Sequence, residues 1–182
     1  MKILQIIQEM YSKENSQFVK ELYREILNRE YDQQGFQDHV EKLKKGTEKE
    51  VILSSFFKSK ELIVKLNNSF RNPLYEKKNN NSTIFGRLHQ IMKKKGKHFL
   101  DGVFLELLNR KPNKKEYYSF SYSAKGSNKD KRDIVIHIIT SREFNSKIKI
   151  NNRNLTLKSQ NIAEKVTAEM VIKKLKTHFR RD

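Results

Sequence analysis

Apolar residues recur every three or four positions along most of the chain, which is the spacing of an amphipathic helix. Near the start, Ile3, Ile7 and Met10 share one helical face, and the polar residues between them are not typical of a secretion signal. Four more apolar stripes follow, and each predicts a helix. Their apolar or inward positions are Phe18, Leu22 and Ile26; Phe36, Val40 and Leu43; Val51, Ile52, Ser55 and Phe56; and Ile84, Leu88, Ile91 and Met92.

Polar residues between the stripes predict where these helices begin and end. Asp32 is a favourable N-cap for the stripe that contains Phe36, and Gly46 is a stop signal after it. Residues 47–50 have the form of a capping box, which predicts the start of the next helix. Thr83 is suited to cap the helix at Ile84.

Two blocks of the sequence occur twice in the same order. Residues 18–32 align with 99–113 at an offset of 81, and residues 52–62 align with 134–144 at an offset of 82. Two blocks that recur in the same order, with nearly the same offset, predict a duplicated module. The identical pairs in the first block are Phe18/Phe99, Glu25/Glu106, Leu27/Leu108, Asn28/Asn109 and Arg29/Arg110.

The second copy repeats the helix signals of the first. Asn113 and Glu116 predict a helix start, and the next stripe consists of Tyr117, Phe120 and Ala124. The apolar run 134–139 also fits a buried strand, but its alignment with the helix of the first copy favours a helix. Beyond it, we predict an irregular stretch at 145–159 and a basic amphipathic helix at about 161–179.

These elements predict an all-α chain of two tandem, related three-helix modules, joined by a linker and a connecting helix, with a C-terminal basic amphipathic helix. The predicted boundaries are 1–70 for the first module, 71–83 for the linker, 84–150 for the second module, and 151–182 for a polar stretch and the last helix. Six Gly and two Pro are few for a sandwich or barrel. With neither an apolar run of membrane-spanning length nor a signal peptide, a cytoplasmic location is expected.

Charge separates the two parts of the chain. The sequence has 39 Lys and Arg against 21 Asp and Glu, a net charge of +18. Residues 1–70 contain 12 basic and 11 acidic side chains, whereas residues 71–182 contain 27 and 10. The basic part either binds a polyanion or reflects a lysine-rich composition without a partner. The candidate polyanion-binding residues are Lys93, Lys94, Lys95, Lys97, Lys114 and Lys115; the last two lie beside Tyr118 and Tyr122, which are predicted to face outward.

The polar residues predict neither a catalytic site nor a cofactor or metal site. The chain has no Cys, no phosphate-binding glycine loop and no pair of His three or four residues apart, and its histidines are expected at exposed positions or helix edges. Arg29 and Arg110 occur at the end of the first helix of each copy. Each could bind a carboxylate or sugar, but a structural role is favoured, in which the guanidinium joins carbonyls to a carboxylate of the next helix. Asn28 and Asn109 suit a left-handed helix end.

The first copy resembles a known bacterial family. The pattern of Phe18, a Leu-Asn-Arg turn ending at Arg29, Gly35-Phe36, Gly46 and a closing Ser-Lys-Glu-Leu at 59–62 is similar to the domain-of-unknown-function family numbered 4214. The second copy resembles it at 99–110 and 141–144, without the glycine of position 35. The modules of this family also resemble the linker domains of phycobilisomes.

The resemblance implies a non-catalytic module, often repeated, in proteins that also carry glycosyltransferase, surface-layer or secreted segments. It therefore implies an accessory or adaptor function in glycan assembly, glycosylation or cell-surface structures, with a protein or glycan as partner. One alternative is a basic helical protein that binds nucleic acid or another polyanion through residues 71–182. Another is the accessory region of a glycosyltransferase.

Overall fold

The computed structural model describes residues 1–71 and 82–149, and within these residues it contains helices and no strand. The all-α prediction is therefore confirmed. The first half contains α1 (Ile3–Tyr11), α2 (Asn15–Leu27), α3 (Gln33–Lys44), α4 (Lys49–Lys58) and α5 (Lys60–Ser69). The second half contains α6 (Ile84–Lys93), α7 (Gly96–Leu108), α8 (Lys114–Phe120), a 3-10 turn (Ser123–Lys125), α9 (Asn128–Ile139) and a closing segment at residues 142–149.

Most helix ends lie where the sequence signals predicted them. The Asp32 carboxylate accepts the N–H three residues later at 2.8 Å, and the Thr83 hydroxyl does the same at 3.1 Å. Asn113 and Glu116 form a reciprocal capping box, and Gly46 has a φ of +93° after the end of α3. The run 134–139 lies within α9, so its assignment to a helix is confirmed.

The predicted capping box at residues 47–50 is wrong. Helix α4 begins after Glu48, whose side chain makes no capping hydrogen bond, and Glu50 lies 2.9 Å from the Nζ of Lys149 in the other half. The buried face of α4 also differs from the predicted one, since Val51 and Ser55 are exposed. The adjacent pairs Ile52-Leu53 and Phe56-Phe57 are buried instead, because together they have more apolar surface. The buried side chains of α4 are Ile52, Leu53, Phe56 and Phe57.

The helix α5 and the closing segment 142–149 were not predicted. Ser59 caps α5 by accepting the N–H of Leu62 at 3.2 Å, and Ser141 accepts the N–H of Phe144 at 3.2 Å. Phe144 and Ile148 are both fully buried. The prediction that the chain is irregular from residue 145 is therefore wrong for 145–149, because these two apolar residues, four apart, are enough to anchor a helix among polar neighbours. Most of the predicted linker, at 72–81, and the predicted helix at 161–179 lie outside the described residues.

Buried side chains from both halves form one hydrophobic cluster. Helix α1 packs on α7, and α6, whose first residue lies 81 positions after the first residue of α1, packs on α2. The N–H of Ile3 donates to Glu106 at 2.8 Å, and the amide of Gln8 donates to the carbonyl of Lys147 at 3.0 Å. The first helix of each half therefore packs against the other half. The largest fully buried side chains are Phe18, Phe57, Phe85, Phe99, Phe104 and Phe144.

Candidate functional site

Arg29 stands in the turn after α2 and binds groups from three parts of the first half. Its Nε and Nη2 donate to the two carboxylate oxygens of Glu61 at 2.6 and 2.9 Å. Its Nη1 donates to the carbonyl of Glu30 at 2.9 Å, and its Nη2 lies 3.2 Å from Asp32, the N-cap of α3. The guanidinium also lies over the Tyr23 ring, 4.8 Å from its centroid. Arg29 thus joins the start of α3 to the start of α5.

Arg110 occupies the matching turn of the second half and makes the corresponding contacts. Its Nε and Nη2 donate to Glu143 at 2.8 and 2.5 Å, and its Nη1 donates to the carbonyl of Lys111 at 3.0 Å. A second carboxylate comes from Glu116, at 2.8 and 2.7 Å. The guanidinium lies 5.3 Å from the centroid of the Phe104 ring.

Each arginine and its carboxylates hold one another in the charged state. Hydrogen bonds with Glu61 raise the pKa of Arg29, and hydrogen bonds with Glu116 and Glu143 raise the pKa of Arg110. In return, the arginines lower the pKa values of all three glutamates. These contacts fit the structural interpretation of the arginines. Sequence reasoning missed Glu61 and Glu143 as their partners, although both follow a serine by two residues in the repeated closing motif.

Asn28 and Asn109 precede the two arginines and end α2 and α7. Both adopt the left-handed conformation, with φ values of 49° and 55°. The prediction of a left-handed helix end at these positions is therefore confirmed. This conformation turns the chain sharply after each helix and brings the following arginine beside the next helix start.

A second pair of matching cations, Lys49 and Lys131, was not found from the sequence. The Nζ of Lys49 donates to the carbonyls of Tyr11 and Lys13, at 2.9 and 2.5 Å, at the end of α1. The Nζ of Lys131 donates to the carbonyls of Met92 and Lys94, both at 2.7 Å, at the end of α6.

A cation at this place stabilises the negative end of the helix dipole. Burial lowers the pKa of both lysines, and each ammonium lies over a buried phenylalanine ring. The alignment of the two copies could have revealed this pair. Lys49 and Lys131 stand 82 residues apart, which is also the offset between residues 52–62 and 134–144.

The two halves differ beside the arginines in a coordinated way. A Cβ atom on Gly35 would lie 2.4 Å from the hydroxyl oxygen of Tyr23 and 2.9 Å from a carboxylate oxygen of Asp32, so any larger residue requires these side chains to shift. In the second half, Phe104 and Glu116 take these two positions. Because phenylalanine lacks the hydroxyl, the carboxylate of Glu116 has room to reach Arg110.

An open groove of about 400 Å³ adjoins Arg110 in the second half. Phe104, Leu108 and Ile138 are among its apolar side chains, and Lys115 is among its polar ones. In the first half, the rings of Tyr23, His39 and Phe56 contact one another at the matching region, with centroids 5.0 to 6.3 Å apart. The remaining residues along the groove are Glu116, Ser119, Phe120, His137, Ser141 and Glu143.

The structure places the six candidate lysines in two groups, all of them exposed. One group lies where α6 meets α7, and the other begins α8. Lys94 and Lys95 line a shallow groove with Lys111, a residue that the sequence did not single out. Lys97 lies on another groove with Lys125, and its Nζ is 5.9 Å from the centroid of the Tyr117 ring.

Tyr118 and Tyr122 are the most exposed large apolar side chains in the described part of the chain, at 87% and 91%. Their predicted outward orientation is confirmed. Together with Lys114 they form a row at four-residue spacing, the tyrosine stripe. Tyr122 follows the end of α8, but Ser121 and Tyr122 keep helical backbone angles and so continue the spacing. Tyr117 instead turns inward and donates its hydroxyl to Asp101.

The four histidines of the described residues do not gather into a site. His89 is fully buried in α6 and stacks on Phe70 with ring centroids 4.8 Å apart, so its expected exposed or edge position is wrong. The reason is that α6 packs against the first half of the chain, which covers this histidine. Burial lowers the pKa of His39. Within residues 1–71 and 82–149, no three His, Asp or Glu side chains are placed to hold a metal ion.

Residues 6–66 match the family described as domain of unknown function (DUF4214). The predicted resemblance of the first half to this family is therefore confirmed, while that of the second half stays a prediction. No curated protein and no solved structure matches the chain. Among the residues that the structure describes, no helix is both long enough and apolar enough to cross a membrane.

Proposed function

We propose that this chain is a non-catalytic helical interaction module that serves as an accessory or adaptor in glycan assembly, glycosylation or cell-surface structures. Its support is a division of roles between matching positions of the two halves. Polar side chains shared by both halves contact other parts of the chain, as Arg29 and Arg110 do. Some of the side chains that differ face solvent, as Gln37 and its counterpart Tyr118 do.

Such a division is what duplication of a scaffold would produce, and we include duplication in the proposal. Contacts that determine the fold are kept in both halves, and the exposed faces are then free to diverge. The observation that carries the proposal is that Arg29–Glu61 and Arg110–Glu143 make the same bidentate contact 81 or 82 residues apart. A catalytic arginine needs donors directed at a substrate, whereas these donors are directed at the chain's own carboxylates. The cytoplasmic location belongs to the same proposal.

Affinity electrophoresis in gels that contain a polysaccharide tests the glycan part. The probes are dextran, which is neutral, and polygalacturonate, which is acidic. We expect polygalacturonate to retard the chain, since the second half is basic, and we expect a variant that replaces Lys114 and Lys115 by Gln to be retarded less. A chain that migrates identically with and without both polysaccharides at low salt would contradict a glycan partner.

A second candidate function is binding of nucleic acid or another polyanion through residues 71–182. The observation that favours it is the exposure of all six candidate lysines. Residues 82–149 alone contain 16 Lys and Arg against 6 Asp and Glu, a net charge of +10. A surface of this sign attracts phosphate backbones, and the resulting affinity falls steeply with salt.

A further inference from the structure

We propose that the tyrosine stripe, Lys114, Tyr118 and Tyr122, is a stacking surface for single-stranded nucleic acid. The proposal rests on the second candidate function and assigns it a surface and a ligand class. Proteins that bind single strands combine positive charge along the backbone with aromatic rings on which bases stack. Both features occur together on α8 and the two residues that follow it.

Tyr118 and Tyr122 are exposed although this part of the chain packs on a hydrophobic core. Two other aromatic residues of the same helix turn inward: Tyr117 bonds to Asp101, and Phe120 lies 6.3 Å from Phe104, centroid to centroid. The helical spacing therefore divides the aromatic residues into an inward pair and an outward pair. Successive residues of the stripe lie about 6 Å apart along the helix axis, since four residues rise by that distance. Two neighbouring unstacked bases can be accommodated at such a separation.

The charges around the stripe complement a phosphate backbone. Lys115 lies beside Lys114 at the start of α8, and both are exposed. Glu116, the acidic residue of α8, is held by two hydrogen bonds to Arg110. Its charge is therefore largely compensated within the chain. The surface offers positive charge next to flat apolar rings, which fits a strand of bases and phosphates.

The matching face of the first half lacks both features. The counterparts of Lys114, Tyr118 and Tyr122 are Gln33, Gln37 and Glu41, which lie on α3 and are exposed. The same scaffold thus presents a neutral to acidic face without aromatic rings in one half and a basic aromatic face in the other. This face of α3 supplies a matched internal control.

The test measures binding of a labelled 12-nucleotide oligothymidylate to the full chain by fluorescence anisotropy at about 50 mM salt. An abasic oligonucleotide with the same number of phosphates separates stacking from charge. We expect the abasic strand to bind at least about tenfold more weakly, since stacking on each ring contributes substantially to affinity. A double variant, Tyr118→Ser with Tyr122→Ser, should lose at least about tenfold in affinity for oligothymidylate and bind the abasic strand as the original chain does.

Three controls complete the experiment. Gln33→Ser with Gln37→Ser alters the matching face and should leave binding unchanged. Lys114→Gln with Lys115→Gln should reduce the dependence of affinity on salt by about one power of the salt concentration or more. Polygalacturonate is the competitor that represents an acidic glycan. Since Tyr118 and Tyr122 are almost fully exposed, circular dichroism should show an unchanged fold.

The outcomes separate this inference from the function on which it rests. Equal affinity for the two strands, or for the tyrosine variant and the original chain, overturns the stacking surface but leaves polyanion binding in place. A chain that binds neither strand at low salt overturns both. If binding of polygalacturonate depends on Tyr118 and Tyr122 and binding of oligothymidylate does not, the stripe belongs to an acidic glycan and the inference is wrong.

Discussion

Arg29 and Glu61 lie 32 residues apart in sequence and are joined by two parallel hydrogen bonds of 2.6 and 2.9 Å. The pair fixes the start of α5 against the turn that follows α2. A bidentate contact of this kind is stronger and more directional than an ordinary surface ion pair. Because Arg110 and Glu143 repeat it, each half has the same connection between the turn after its second helix and its closing helix.

Replacing Glu61 by Gln should destabilise the fold by about 1–2 kcal/mol, because one charge-assisted hydrogen bond is weakened and another is lost at a partly buried site. Urea unfolding followed by circular dichroism measures the change in the free energy of unfolding. Glu41→Gln is the matched control, since Glu41 pairs with Lys45 on the exposed surface of α3. It should change the free energy by less than about 1 kcal/mol. Equal losses in the two variants would show that Glu61 contributes no more than a surface charge.

Acid should weaken the fold through the glutamates that bind the two arginines. The pKa values of Glu61, Glu116 and Glu143 lie below the usual 4.5 in the folded chain, so their contribution is fully present above that pH. It is lost as the pH falls through the folded pKa values. Melting temperatures measured between pH 6 and pH 3 should therefore fall, and the fall should be smaller for a variant with Gln at positions 116 and 143. An identical pH profile for that variant would contradict the assignment.

Gly35→Ala should destabilise the first half, although alanine is the better helix former. The added Cβ would lie 2.4 Å from the hydroxyl oxygen of Tyr23. Repulsion of this kind costs about 1–3 kcal/mol and exceeds the gain in helix propensity of about 1 kcal/mol. Introducing Tyr23→Phe, which reproduces the residue of the second half, should remove the part of the loss that the hydroxyl causes, while the contact of the Cβ with Asp32 at 2.9 Å remains. A double-mutant cycle measured by urea unfolding gives the coupling.

Gly102→Ala is the control for this cycle, because its Cβ would lie 3.4 Å from a methyl carbon of Ile91, within ordinary contact distance. We expect it to be neutral or stabilising by up to about 1 kcal/mol. If Gly35→Ala behaves like Gly102→Ala in the presence of Tyr23, the hydroxyl does not restrict position 35.

Lys131→Met should destabilise the second half by about 1–3 kcal/mol, since the carbonyls of Met92 and Lys94 would lose their donor. The side chain is 4% exposed, so methionine would fill the space but supply no hydrogen bond. Lys129→Met, at an exposed position of the same helix, should change the free energy of unfolding by less than about 0.5 kcal/mol. Similar values for the two variants would mean that the ammonium does not stabilise the end of α6.

Periodicity and capping residues predicted most of the described helices because those signals act within a few residues. They predicted α6 from Thr83 and its apolar stripe, and they placed Tyr118 and Tyr122 on the outside. They failed at α5 and at the closing segment, where a serine cap and few buried residues had to be recognised among polar neighbours. The partners of the turn arginines are a different case: a contact between Arg29 and Glu61 depends on tertiary structure, which periodicity does not encode.

The packing of α1 on α7 and of α6 on α2 lay beyond sequence reasoning for the same reason. Nothing local distinguishes a helix that packs on its own half from one that packs on the other. Burial of His89 follows from this arrangement, since it requires Phe70 of the first half beside α6. The groove beside Arg110 likewise depends on the shapes of side chains from α7, α8, α9 and the closing segment.

Replacing Lys93, Lys94, Lys95 and Lys97 by Gln should weaken polyanion binding without unfolding either half, because all four side chains are exposed at the junction of α6 and α7. Affinity for a labelled oligonucleotide is measured over a salt series, in which each lysine that neutralises a phosphate contributes to the salt dependence. We expect both a weaker affinity and a shallower salt dependence. A variant matched in charge, which replaces the exposed Lys42, Lys44, Lys45 and Lys58 of the first half by Gln, should bind almost as the original chain does. Unchanged binding in the first variant would mean that the charge at this junction serves solubility, whereas equal losses in both would mean that affinity follows total charge and no local surface.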